Sequence, residues 1–224
     1  MERKPFSFID NSILRKSLRQ FVELHHPDDL VHGVRHLDTA WGYAKGLLDI
    51  YGTKADIPVT TASIYLHDIK LEGENPLSGV ERRVNSARTA RTFLENIGWG
   101  DTDILRVQGA ILQHDQPFLT PTTLEGSILK DSDFLAGFGA EGLIRVIVSM
   151  SENGQKVDGI IKTLEVEMPK RIKGLGFQES KEVAKAKWEL VSDFLSDLKH
   201  GVLTIKDARK KLNDRDADRS DLAV

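Results

Sequence analysis

Apolar and polar positions alternate with a helical period along almost the whole chain. Between Ser12 and Leu24, the residues Ile13, Leu14, Leu18, Phe21 and Val22 fall on one stripe, the spacing of an amphipathic helix. Pro27-Asp28-Asp29 breaks that helix and can cap the next. Leu30 to Tyr51 predicts a long helix with Leu37, Trp41, Ala44, Leu47 and Leu48 on its apolar face, and Gly52 can stop it. Pro58 to Ile69 is apolar nearly all round, which is the mark of a buried, central helix. The stretch 71–79 is a loop by its Gly, Asn and Pro content. Helices follow over Asn85 to Ile97 and from Asp101 to about Gln113, and Pro117 and Pro121 mark a second loop. Thr123, Glu125 and Gly126 open the helix that carries Asp131 and Asp133. Glu141 to Ser151 has enough β-branched residues to permit a strand, but no partner strand is evident, so a helix is expected. Gly174-Leu175-Gly176 precedes a last strong helix, Glu179 to Lys199. The fold class that follows is all-α, a compact multi-helix bundle.

The chain has 224 residues, enough for one domain with a sizeable core. One domain over 1–200 is expected, with 201–224 a charged tail or short exposed helix. The net charge of -3 offers no basic field for nucleic acid, and none is expected as a partner. No cysteine is present, which excludes disulfides, thiolate metal sites and a cysteine nucleophile. No run approaches the roughly 18 apolar residues of a membrane span, and the first ten residues lack the apolar segment of a signal peptide. The expectation is a soluble cytoplasmic protein with no membrane partner.

The informative chemistry is sparse and ordered. His36 stands alone, His67-Asp68 ends the apolar run Ser63-Ile64-Tyr65-Leu66, and Asp131 and Asp133 sit inside another amphipathic segment. The two imidazoles with two of these carboxylates make a mixed nitrogen and oxygen set suited to a hard or borderline divalent metal. Adjacent helical positions point about 100° apart, so His67 and Asp68 can share one ion only if it lies between their directions. A helix end beside a loop permits that. Carboxylates in an apolar helix are costly without a partner, so Asp131 and Asp133 each demand one. By contrast, His25 and His26 belong to a helix terminus, and Trp41, Trp99 and Trp188 read as packing residues.

In this order and context, the set resembles the HD-domain metal-dependent phosphohydrolase superfamily. The segment His32-Gly33-Val34-Arg35-His36 resembles its first ligand helix, Leu66-His67-Asp68-Ile69 its doublet, and Asp131-Ser132-Asp133-Phe134-Leu135 its last ligand helix. The likeness covers roughly 20–140, with the final helix similar to that of small bacterial members. It implies a divalent ion (Mn, Fe, Ni, Co, Zn or Mg) held by His36, His67, Asp68 and Asp133, with Asp131 the rival of Asp133. It also implies hydrolysis of a phosphomonoester or phosphoanhydride, with a nucleotide the expected substrate. Glu72 is the candidate base or water-orienting group, and Asp68 belongs to the catalytic set as well as the ligands. Lys70, Arg82, Arg83, His114 and Lys130 are candidate substrate contacts, while His32 and Asp131 would support the ligands from behind. One departure stands out. Many relatives carry a His before the Ser-Ala of the helix after the loop, whereas this chain has Glu81-Arg82-Arg83-Val84-Asn85 there. A one-metal site is therefore expected, with His114 keeping a second open. A metal-stabilised nucleotide-binding or regulatory module without turnover is the alternative, and a purely structural helical protein would bind no metal.

Overall fold

A computed structural model describes residues 11–25, 31, 33–69, 79–116 and 118–200. Among these the secondary structure is helical: α1 Asn11–His25, α2 Val34–Tyr51, α3 Ile57–Leu66, α4 Gly79–Asn96, α5 Asp101–Gln113, α6 Leu124–Ala136, α7 Gly139–Glu152, α8 Val157–Gly174 and α9 Gln178–His200. The segment that permitted a strand is α7. α4 begins six residues before the expected Asn85, so Arg82 and Arg83 lie in its first turns. α8 has no counterpart in the expected set. It contains Pro169 and buries only Leu164 and Met168, one i,i+4 pair, so its apolar stripe is thin. No single described helix is long and apolar enough to cross a membrane.

α3 is the centre, packed against α1, α2, α4, α5 and α6. Every residue from Val59 to Leu66 is buried. Its polar members survive there because their hydroxyls donate back to carbonyls four residues earlier. Thr60 bonds Asp56, Thr61 bonds Ile57 and Ser63 bonds Val59, each at 2.8 Å. Asp56 caps the helix by accepting from the Val59 amide at 3.1 Å.

An ion-pair knot ties the starts of α3 and α6 to α5. Buried Glu125 accepts from the Asp56 amide at 2.8 Å and from Arg106 at 3.0 Å, and Arg106 also reaches the Asp56 carboxylate at 2.8 Å. These three helices carry His67, His114 and Asp133 at or near their far ends, so the knot fixes the pitch of all three.

Two apolar clusters divide the molecule. One joins α1 to α6; the other joins the end of α6 to α7, α8 and α9. α6 belongs to both, through Ile128 and Leu129 on one side and Phe134 and Leu135 on the other. Asp133 therefore lies at the seam. The α6–α7 junction is tight. Gly139 takes φ +77, and a β-carbon at Gly142 would meet the Gly137 carbonyl carbon at 2.1 Å. Only glycine fits at Gly142, and this close approach sets where the next turn of α7, including Arg145, faces.

Candidate metal centre

α2, α3 and α6 each bring one side chain to a shared point. His36 is the third residue of α2, His67 is the C-cap of α3, and Asp133 lies in the last turn of α6. His36 Nε2 is 3.2 Å and His67 Nε2 is 3.5 Å from the same oxygen, Asp133 Oδ1. One donor atom from each of the three lies within 4.8 Å of the others. Two ligands about 2.1 Å from one ion, at angles of 90–110°, stand roughly 3.0–3.4 Å apart, so this spacing suits the edges of a coordination shell.

One orphaned ring nitrogen also fits a metal. His67 Nδ1–H donates to the Ile64 carbonyl at 2.8 Å, which leaves Nε2 as the lone-pair nitrogen. That Nε2 is buried without a hydrogen-bond partner. A buried nitrogen pointed at a carboxylate oxygen and satisfied by neither protein donor nor acceptor is what an absent cation would complete. Burial pushes His36 down to about 4, so it is neutral near pH 7. Burial works against Asp133 ionising, yet the hydrogen bond from His36 and the imidazole of His67 beside it hold it well below the usual carboxylate range. Burial also disfavours His67 protonation, but Asp133 and the charge of Asp68 outweigh it and raise His67.

The remaining expected residues divide clearly. Asp68 lines the cavity over the three side chains, as do Arg82, Arg83 and His114. His114 mirrors His67: it is the C-cap of α5, and its Nδ1 donates to the Ile111 carbonyl at 2.6 Å. Arg83 pairs with Asp115 at 3.1 Å. Two expectations are corrected. Lys130 does not reach the cavity; it is buried, with Nζ donating to the Leu119 carbonyl at 2.7 Å. Asp131 turns the other way around α6, where its carboxylate accepts from the Gly176 amide at 2.9 Å and the Phe177 amide at 2.9 Å, just before α9. It anchors the start of α9 and touches none of the three clustered residues. His32, Lys70 and Glu72 lie outside the described residues.

The cavity is about 290 Å³, and its far wall comes from α7 and α8. Arg145 and Arg171 stand on that wall, with Ser149, Met150, Thr163 and Met168. Sequence reasoning missed both arginines. Arg145 did leave a signal, as the lone charge in the apolar run Leu143-Ile144-Arg145-Val146-Ile147-Val148.

Solved structures share this arrangement of helices. YpgQ of Bacillus subtilis, in complex with ADP, superposes with a TM-score of 0.66 over 88% of this chain and 98% of its own, at 18% identity. A predicted HD superfamily hydrolase from an uncultured Thermotogales bacterium has a TM-score of 0.56, covers 89% and 95%, and is 22% identical. This is the HD-domain fold. An HD-superfamily hydrolase from Bacillus thuringiensis shares it too, with a TM-score of 0.61 over 85% and 97% at 15% identity. No protein-family model matches the chain, and no curated protein matches it. Within the HD fold, the His36, His67 and Asp133 cluster is a site that could hold a divalent metal.

Proposed function

We propose that the chain is a metal-dependent phosphohydrolase that cleaves a phosphomonoester or phosphoanhydride, with a nucleotide as the favoured substrate class. The observation that carries this reading is the triad of His36, His67 and Asp133 at the base of a cavity with arginines on its walls. Asp68, adjacent to His67 on the same cavity, completes the proposed ligand set. A divalent ion, when bound, supplies a nucleophile at neutral pH and a Lewis acid for a phosphoryl oxygen.

The chain's own residues then have separable tasks. His67 is held by the Ile64 carbonyl through Nδ1, so in its neutral form Nε2 is the free nitrogen aimed at the ligand position. Asp133 stays ionised and supplies the negative charge that a cation needs. Arg82 and Arg83, in the first turns of α4, present guanidiniums within 4 Å of where a β-carbon of Gly79 would sit, at the cavity mouth. Guanidinium suits phosphate because its planar fork matches two oxygens at once. The complex of YpgQ with ADP supports a nucleotide over other phosphorylated compounds.

The test is a panel of nucleoside mono-, di- and triphosphates and simple phosphomonoesters, run with manganese, cobalt, nickel and magnesium, with phosphate and pyrophosphate release measured. Release from at least one nucleotide that disappears in His67→Ala supports the reading. Metal binding with no release from any compound would favour a binding module instead.

A further inference from the structure

Arg145 and Arg171 face the metal triad from the wall that α7 and α8 contribute, and neither has a carboxylate partner within ion-pair distance among the described residues. The nearby acids are otherwise engaged: Glu141 pairs with Arg35 at 3.0 Å and Glu167 with Lys170 at 2.8 Å. Arg145 spends one donor, Nε, on the Val31 carbonyl at 2.6 Å, which leaves its terminal nitrogens for the cavity. Arg171 makes no hydrogen bond to the described protein; its guanidinium carbon lies 5.2 Å from the centre of the Phe134 ring, next to Asp133 in sequence. Both side chains are only partly exposed. They also oppose each other: the charge of Arg171 adds to burial in lowering Arg145, against the pull of Asp133 and Asp68.

Two half-buried guanidiniums on one wall, without ion-paired counterions, are unfavourable unless an anion joins them. The wall also has a second character. Ser149 and Thr163 lie beside Met150 and Met168, so a polar and apolar surface continues beyond the arginines. The ligand that fits is anionic at the arginines.

We propose that Arg145 and Arg171 form an anion subsite that takes a phosphoryl group of the ligand, in the same cavity that Arg82 and Arg83 line. The identity of that anion rests on the phosphohydrolase reading, while the subsite itself rests on the two unpaired guanidiniums. Arg145 has a second role, because its bond to Val31 ties α7 to the segment that leads into α2 and His36. Arg171 has no such role, so it is the clean probe.

The experiment is isothermal titration of pyrophosphate into the full chain treated with a chelator, so that no metal contributes. The subsite predicts saturable binding that weakens at least tenfold in Arg171→Gln and recovers in part in Arg171→Lys. Arg145→Lys should weaken it as well, and circular dichroism should show all three variants folded. Absence of pyrophosphate binding to the wild type, or equal affinity in Arg171→Gln, would overturn the subsite. The two proposals fail separately. Pyrophosphate held by Arg171 with no turnover of any phosphorylated compound sinks the hydrolase reading alone. Turnover whose KM is unmoved by Arg171→Gln sinks the subsite alone.

Discussion

His67 and His114 are twins in position. Each is the C-cap of its helix, each donates Nδ1–H to the carbonyl three residues back, and each is followed by an aspartate; their ring centroids are 4.9 Å apart. Only His67 joins the clustered donors. The difference is Asp133, whose Oδ1 lies 3.5 Å from His67 Nε2.

That asymmetry makes a prediction about metal count. His67→Ala should lose the divalent ion, whereas His114→Ala should keep about one ion per chain and lose turnover through poorer substrate contact. Elemental analysis of dialysed protein measures both. Loss of the ion in His114→Ala would move that residue into the ligand set.

The neutral state of His36 couples folding to pH. Its value is about 4 in the folded chain, below the ordinary 6.5 that the unfolded chain should show. Between those values the unfolded chain binds the extra proton, so stability is full above about 6.5 and declines as pH falls toward 4. For the chelated protein, moving from pH 7 to pH 5 should cost about 2 kcal/mol through this group. The raised value of His67 acts in the opposite sense, so the comparison is between wild type and His36→Gln. Urea melts at the two pH values should show a shallower loss in the variant. Parallel losses would mean that His36 is not held neutral.

Asp131 and Asp133 differ by two residues and should differ in kind. Asp131→Asn removes a charge that accepts the Gly176 and Phe177 amides, at a cost of about 1–2 kcal/mol. Metal affinity should change less than twofold. Asp133→Asn should abolish metal binding. Denaturant melts and metal titration of the two variants read these effects apart, and a swapped pattern would reverse the ligand assignment.

Much of this was readable because a polar residue in an apolar helix must have a reason. Asp131 and Asp133 stood out together on that ground, the resemblance favoured Asp133 and added His36 and His67, and the all-α pattern followed from helical periodicity. The reading went wrong where the reason lay far along the chain. Asp131 is buried as expected, but its partners are backbone amides 45 and 46 residues later, which periodicity cannot reveal. Lys130 was a candidate substrate contact, yet its amine donates to the Leu119 carbonyl. Arg171 was invisible because α8 buries so little and carries Pro169, so no helix was expected to present it. The knot of Arg106, Asp56 and Glu125 joins three helices and has no local signature.

If His36, His67 and Asp133 hold a divalent ion on which phosphoryl hydrolysis depends, metal and turnover must appear and disappear together. Titrating manganese into chelated protein, while following phosphate or pyrophosphate release from the best nucleotide of the panel, tests it most directly. The expected result is no release without metal, a rate that saturates at about one ion per chain, and neither binding nor release in His67→Ala. Full activity in the chelated protein, or undiminished metal-dependent activity in His67→Ala, would contradict it.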